Sequence, residues 1–259
     1  MGSFFPWMGG KSKIAKRLCQ LLPEHKCYVE VFAGAANLLF VKNKAGTEVL
    51  NDINSELTNL FRVVRWHPRE FINELAFTTH SRADFLCYKA QPGLTDIQRA
   101  ARSWFIMKTA FGGRGGCKNN VFGYGTTGRA VFRRTIFTTI RRCHKRLDGV
   151  YIENLDFADC FHRYDRSYVV FYCDPPYLET GGYKFNFTFK DHLRLATALK
   201  KIKGKFLLSI NNHPKIRAIY KGLPVLKVKV KYSVSRDKSP AARDRMELVI
   251  ANYPLPKKW

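Results

Sequence analysis

No apolar run in this 259-residue chain approaches the roughly 20 residues that a spanning helix needs, so a role within a membrane is not expected. The opening MGSFFPWMGGKSK has no charged segment followed by an apolar one and is broken by Pro6, Gly9 and Gly10, unlike a secretory signal. The seven cysteines are odd in number, scattered and without a C-x-x-C pair, which argues against a disulfide framework and for reduced cytoplasmic thiols. Cys143-His144 is the lone adjacent Cys/His pair and has no further ligands at short spacing, so no metal is expected. There is no internal repeat and no low-complexity tail.

Acidic residues are scarce. Lys+Arg 45 against Asp+Glu 20 gives a net charge of +25, more than solubility requires, and such a field favours a polyanionic partner. From Ile97 to Leu147 there is no Asp or Glu, while Arg99, Arg102, Lys108, Arg114, Lys118, Arg129, Arg133, Arg134, Arg141, Arg142, Lys145 and Arg146 fall in that stretch. Ordinary solvated helix faces mix signs for local pairing, so this segment is read as one that contacts phosphates.

What is present is an α/β pattern. Residues 13–22 have helical spacing, and residues 27–32 read as a strand followed by the small-residue turn Ala33-Gly34-Ala35-Ala36. A second short strand, 48–52, ends in Asp52, and this order is the opening unit of a doubly wound, Rossmann-like fold. Residues 54–65 and 68–107 are mostly helical in pattern. Gly112 to Gly125 is too rich in glycine for a helix and reads as a loop or hairpin with Arg114, Lys118, Asn119 and Asn120 on it. Strands resume at 150–154 and 168–173, with a helix at 190–201 and further strands at 205–210, 225–234 and 247–252. The α/β core is therefore expected to be split into 1–56 and 150–259, with a mainly helical lobe inserted at 57–149.

Asp174-Pro175-Pro176-Tyr177 closes the apolar run Tyr168 to Cys173, which reads as a buried parallel strand. Proline fixes φ and removes a backbone donor, so two in succession hold the carboxylate and nearby carbonyls in one orientation. That lip suits an exocyclic amine whose ring stacks on Tyr177; a rigid strand-to-loop turn is the other reading. Asp52 stands where an acid binds ribose hydroxyls, or where one caps the next helix. Trp7, Gly10 and Lys11 combine an aromatic, a flexible turn and a cation.

Taken together, Pro6-Trp7-x-Gly9-Gly10-Lys11, Phe32-x-Gly34, Asn51-Asp52, Asp156-Phe157, Asp174 to Tyr177 and Glu247-Leu248-x-Ile250-x-Asn252-Tyr253 resemble, in order and spacing, the Dam-type (alpha-group, D12 class) DNA adenine-N6 methyltransferases. The resemblance spans nearly the whole chain and is loosest between 60 and 149. It implies a class I methyltransferase sheet, S-adenosyl-L-methionine as methyl donor without a metal, and double-stranded DNA as partner. It further implies that Trp7, Gly10 and Lys11 lie against the donor and that the backbone of Phe32, Gly34 and Ala35 cradles its methionine part. Asp52 would take the ribose, and Asp156 with Phe157 would flank the donor adenine. Asp174 would meet both donor and target amine, with Pro175 and Pro176 stiffening the lip and Tyr177 stacking on a flipped base. Tyr183 and Phe185 could close over that base. Ala36 stands where the family often has a second glycine, and its methyl is expected to tighten the pocket.

The basic lobe would bind DNA through Arg114, Lys118, Asn119, Asn120, Arg129, Arg133 and Arg134, the first four carrying donors suited to base edges. A cytosine-N4 enzyme usually has Ser before Pro-Pro-Tyr, and a protein-glutamine methyltransferase usually has Asn there. A DNA-binding protein with an inactive core is a third alternative, which intact Asp52 and Asp174 oppose. A prokaryotic or phage cytoplasmic protein, monomer or homodimer, is expected, with GATC as the family's default target.

Overall fold

A computed structural model describes residues 2–117, 119–126, 136–178, 185, 187–231 and 244–257. Seven strands, β1 (Cys27–Glu30), β2 (Thr47–Asn51), β3 (Val150–Glu153), β4 (Val169–Cys173), β5 (Lys205–Asn211), β6 (Val225–Lys231) and β7 (Asp244–Ala251), form one sheet in the order β3-β2-β1-β4-β5-β7-β6. The first five run parallel, and β7 pairs antiparallel with both β5 and β6. This is the Rossmann-like methyltransferase sheet expected from the sequence.

Burial on both faces explains the near-continuous apolar strands. Side chains alternate with period two. Tyr28, Leu50, Val170, Tyr172, Leu207 and Val249 enter one core, and Val29, Val49, Phe171, Cys173, Leu208 and Ile250 enter the other. Helices α1 (Ala15–Gln20), α2 (Ser55–Trp66), α3 (Pro68–Ala76), α5 (Asp96–Thr109) and α6 (Ile136–Arg146) belong to the first core, which also takes in Phe4 and Phe5. Helices α7 (Phe157–Tyr164), α8 (Phe189–Leu199) and α9 (Pro214–Ile219) cover the opposite face.

The segment between β2 and β3 is helical, comprising α2, α3, α4 (Arg82–Ala90), α5 and α6. Residue 57, expected to open a separate lobe, lies inside α2, and Leu57, Leu60, Phe61 and Val64 share one core with Tyr28 and Leu50 of the sheet. Among the described residues, only a small satellite core, Phe85, Phe105 and Ala110 with Tyr88 and Phe122, stands apart. An antiparallel bridge joins Ala110 to Phe122 across the glycine-rich segment. In the catalytic half, two helices were not legible beforehand: α7, capped by the Asp156 side chain on Ala158 N–H, and α9, which begins at Pro214. Both are short, so periodicity gives little signal.

Candidate active site

The carboxyl ends of β1, β2 and β4 open on a cleft whose free volume, open solvent included, is about 1310 Å³. Its lining brings together Trp7, Gly10, Lys11, Phe32, Gly34, Ala35, Asp52, Asp156, Phe157 and Asp174 to Tyr177, residues that either precede α2 or follow α6 in the chain. Ligands of open parallel sheets bind at this edge, where the order of strands reverses; here that point lies between β1 and β4.

Strand parity aims the carboxylate. Asp174 follows β4 with the same parity as Tyr172 and so faces the first core, toward the N-terminal segment. Tyr172 pairs with Leu207 in register, which puts Ser209 opposite Asp174. Lys11 Nζ donates to Asp174 Oδ1 at 2.7 Å, to Oδ2 at 2.8 Å and to the Gly9 carbonyl at 2.8 Å. Ser209 Oγ donates to Asp174 Oδ1 at 2.9 Å and is itself linked to Tyr172 Oη at 2.8 Å. Burial raises the Asp174 carboxyl above the ordinary range, and the Lys11 ammonium and Ser209 hydroxyl oppose that shift. The Lys11 ammonium also lies 4.8 Å from the Tyr177 ring centroid. Burial, with Asp174 and Glu247 nearby, pushes the Tyr177 phenol well above its usual value, so it is neutral.

Asp52 is held by the backbone: Gly34 N–H donates to Oδ2 at 3.0 Å and Asn54 N–H to Oδ1 at 2.9 Å. The cap of α2 is Asn54, not Asp52. Next to it, the buried Asn51 amide ties Val31 and Leu155 carbonyls to the Leu155 N–H, which fixes the loop carrying Asp156. Asp156 caps α7 and pairs with Arg194 at 2.7 Å, while the Arg194 guanidinium lies 4.6 Å from the Phe157 centroid. Phe32 packs against Phe157 and Phe187 at 5.9 and 5.7 Å between ring centroids, an aromatic wall.

Small residues make the cradle. A Cβ on Gly10 would come within 2.9 Å of Asn37 Nδ2, and one on Gly34 within 2.9 Å of the Trp7 ring. Gly34 also has φ of +49°, a left-handed conformation that side chains disfavour. Ala36 adopts φ of 51° as well, which explains why glycine suits that position, but it is fully buried and outside the cleft lining. Its methyl therefore strains the turn instead of tightening the pocket.

Of the residues expected to meet DNA, Arg114 is half-buried at the end of a single 3-10 turn, Phe111–Gly113, and Asn119 is exposed. Asn120 is buried, and its amide donates to the Gly115 carbonyl at 2.7 Å, bracing the loop. Lys118, Arg129, Arg133, Arg134 and Tyr183 lie outside the described residues. Phe185 lines the cleft. Within the acid-free stretch, Arg99 pairs with Glu56 and Asp96, and Arg146 pairs with Glu48, so these two cations serve the fold.

Sequence reading missed Glu30, Asn37, Gly116, Arg194 and Ser209. Glu30 sits on the cleft floor, accepting from Tyr28 Oη at 2.9 Å and Leu39 N–H at 3.1 Å, and burial lifts its carboxyl to about 8. Gly116 joins the glycine-rich segment to Trp7, since a Cβ there would lie 2.5 Å from the indole ring. Among the described residues, no group of three or more His, Cys, Asp or Glu could hold a metal ion.

The comparisons agree with this geometry. Residues 7–234 match the model of the D12 class N6 adenine-specific DNA methyltransferases. The DNA adenine methylase of Salmonella typhi is 25% identical over 268 residues, covering 97% of this chain and 95% of that protein. The DNA adenine methylase of Haemophilus influenzae is 28% identical, with 96% and 93% covered, and the type II methyltransferase M1.LlaDCHI of Lactococcus lactis subsp. cremoris is 27% identical, with 96% and 95% covered. A strand order that places Asp174-Pro175-Pro176-Tyr177 beside a glycine cradle, and a family match over most of the length, have one common reading: the chain belongs to the D12 class N6 adenine-specific DNA methyltransferases.

Proposed function

We propose that the cleft holds the methyl donor and a flipped adenine side by side, and that Asp174 positions the N6 amine for attack. Membership of the family implies an S-adenosylmethionine donor. The residues present fit one: Gly10 and Gly34 leave space that a Cβ would fill, and Asp52 is aimed by two backbone donors at the end of β2. In this reading Asp52 takes the ribose hydroxyls, Phe157 flanks the donor's adenine, and Trp7 with the backbone of Phe32 to Ala35 encloses the methionine part. When bound, S-adenosylmethionine supplies an electrophilic methyl group on a sulfonium.

The amine chemistry follows from lone-pair counting. An adenine N6 lone pair is delocalised into the ring and becomes nucleophilic only as that conjugation weakens. A carboxylate oxygen has two lone pairs in its plane. Asp174 Oδ1 already accepts from Lys11 and Ser209, whereas Oδ2 accepts from Lys11 alone. Oδ2 therefore keeps one acceptor site for an incoming N6–H, and the Pro175 carbonyl, fixed by the double proline, takes the other. Two acceptors draw N6 toward tetrahedral geometry, which is catalysis by positioning and preorganised dipoles. Reaching that amine in a duplex requires flipping the base, and the Tyr177 face away from Lys11 supplies the stacking surface. Arg114 and Asn119, on the glycine-rich segment, read base edges, and Asn120 holds their loop.

The observation that carries this reading is the convergence of Lys11 and Ser209 on Asp174 at the cleft. Asp174→Ala is expected to retain DNA affinity while incorporation of tritiated methyl into DNA falls by at least about 100-fold, the scale of a lost transition-state contact. Near-parental turnover by that variant sinks the assignment. Nucleoside analysis of the labelled DNA identifies the acceptor as N6 of adenine.

A further inference from the structure

A second stretch of the chain is as poor in acid as residues 97–147, and it lies in the catalytic half. Between Asp191 and Asp237 there is no Asp or Glu, against twelve Lys and Arg residues. The fold gathers part of this charge on one face. Helix α9 and the turn after it bury Ile216 and Tyr220 in the second core, which also holds Leu248 and Ile250 of β7, and leave Arg217 and Lys221 exposed. Edge strand β6 alternates: Leu226, Val228 and Val230 enter the first core, so Lys227 and Lys229 stand on the same side of the sheet as α9.

Three of the acids nearby are committed elsewhere. Glu247 is 1% exposed and shares its parity with Val249, which enters the first core, so it faces away. Asp191 caps α8 through Thr188 and pairs with Arg194, and Asp165 accepts the backbone N–H groups of Lys203 and Gly204. Arg217 bonds the neutral Asn212 side chain at 3.0 Å. The strip is also tied to the catalytic loop. Asn211, at the end of β5, donates to the Leu178 carbonyl at 3.1 Å, and Lys215 at the start of α9 lies 5.6 Å from the ring of Phe189, where α8 begins.

We propose that Arg217, Lys221 and Lys227 form a second and sequence-independent contact for DNA phosphates, on the opposite sheet face from the inserted helices. The strip holds duplex flanking the target, so its contribution depends on DNA length. The inference rests on the chain acting on DNA. These cations carry no base-reading geometry; they add affinity through counterion release, at about 0.9 units of salt slope for each phosphate engaged.

The test compares the parent with Arg217→Gln/Lys221→Gln/Lys227→Gln, after equal melting temperature and equal S-adenosylmethionine affinity show the fold intact. Affinity is measured against KCl concentration on random-sequence duplexes of about 12 and about 40 base pairs, a span of about 3.4 Å per pair. On the long duplex the variant's slope is expected to be shallower by about 2 to 3, and on the short duplex the two proteins should nearly coincide. Parental slopes at both lengths, or equal losses at both, overturn the strip while leaving the methyltransferase reading intact. Loss of binding to phosphatidylserine vesicles with DNA slopes unchanged assigns the strip to lipid and likewise overturns it. A parent protein that fails to bind duplex DNA brings down both.

Discussion

At Asp174, two described donors converge on Oδ1 and one on Oδ2, and the proposed chemistry uses that inequality. Lys11 neutralises the carboxylate, but Ser209 decides which oxygen stays open, and Tyr172 fixes the Ser209 hydroxyl in turn. Neither residue carries a catalytic motif. Removing one hydrogen bond to a charged group costs about 1.5–3 kcal/mol, so Ser209→Ala should lower kcat about 10- to 100-fold. A positioning role predicts that the loss falls on kcat, with KM for the donor close to the parent's, and that Ser209→Thr, which restores the hydroxyl, recovers much of the rate. Equal losses in kcat and donor affinity, or no recovery with Thr, would show that Ser209 only supports the strand.

Elements were legible where apolar patterning was strong and obscure where register or capping decided. The five parallel strands were expected within a few residues because both faces of the sheet are buried, and long apolar runs survive in the sequence. Trp7, Gly10, Lys11, Phe32, Gly34 and Asp52 could be nominated because each sits in a short local pattern. Ser209, Glu30 and Arg194 could not, since their place in the cleft depends on which strands pair and in what register. Gly116 was hidden for a related reason. The glycine-rich segment reads as a free loop, yet Gly113 packs on Pro6, Gly116 on Trp7, and Cys117 Sγ lies 3.3 Å from Met8 Sδ. One side of that segment is thus a wall of the cleft. Gly116→Ala would press a methyl into the Trp7 ring, an overpacking cost of about 1–3 kcal/mol. Calorimetric S-adenosylmethionine affinity should fall roughly 5- to 100-fold, with the melting temperature lowered by only a few degrees. Parental affinity would remove Trp7 from the donor site.

Over the whole molecule, charge and recognition separate. The +25 net charge attracts any duplex, and such attraction by itself carries no sequence information. Part of it is internal: Arg99, Arg146 and Lys42 are bound to Glu56, Asp96 and Glu48, so counting cations in the sequence overstates the DNA-facing field. Choice of target must then come from a few donors held rigidly. Among the described residues we propose Arg114 for this role: it is half-buried, and its backbone sits in a loop fixed by the Asn120 amide and by Gly115, where a Cβ would lie 2.1 Å from Met107 Cα. A cation rooted in that way loses little entropy on meeting a base edge. Arg114→Ala should therefore cost about 1–3 kcal/mol at one base position and relax the methylated sequence, read by sequencing methylated DNA from an expressing host. Arg133→Ala, in the same acid-free stretch, should weaken all duplexes alike and reduce the salt slope by about one. If both variants show the same slope change and the same methylated sequences, the division between reading and gripping fails, and recognition must be sought among residues outside the glycine-rich segment.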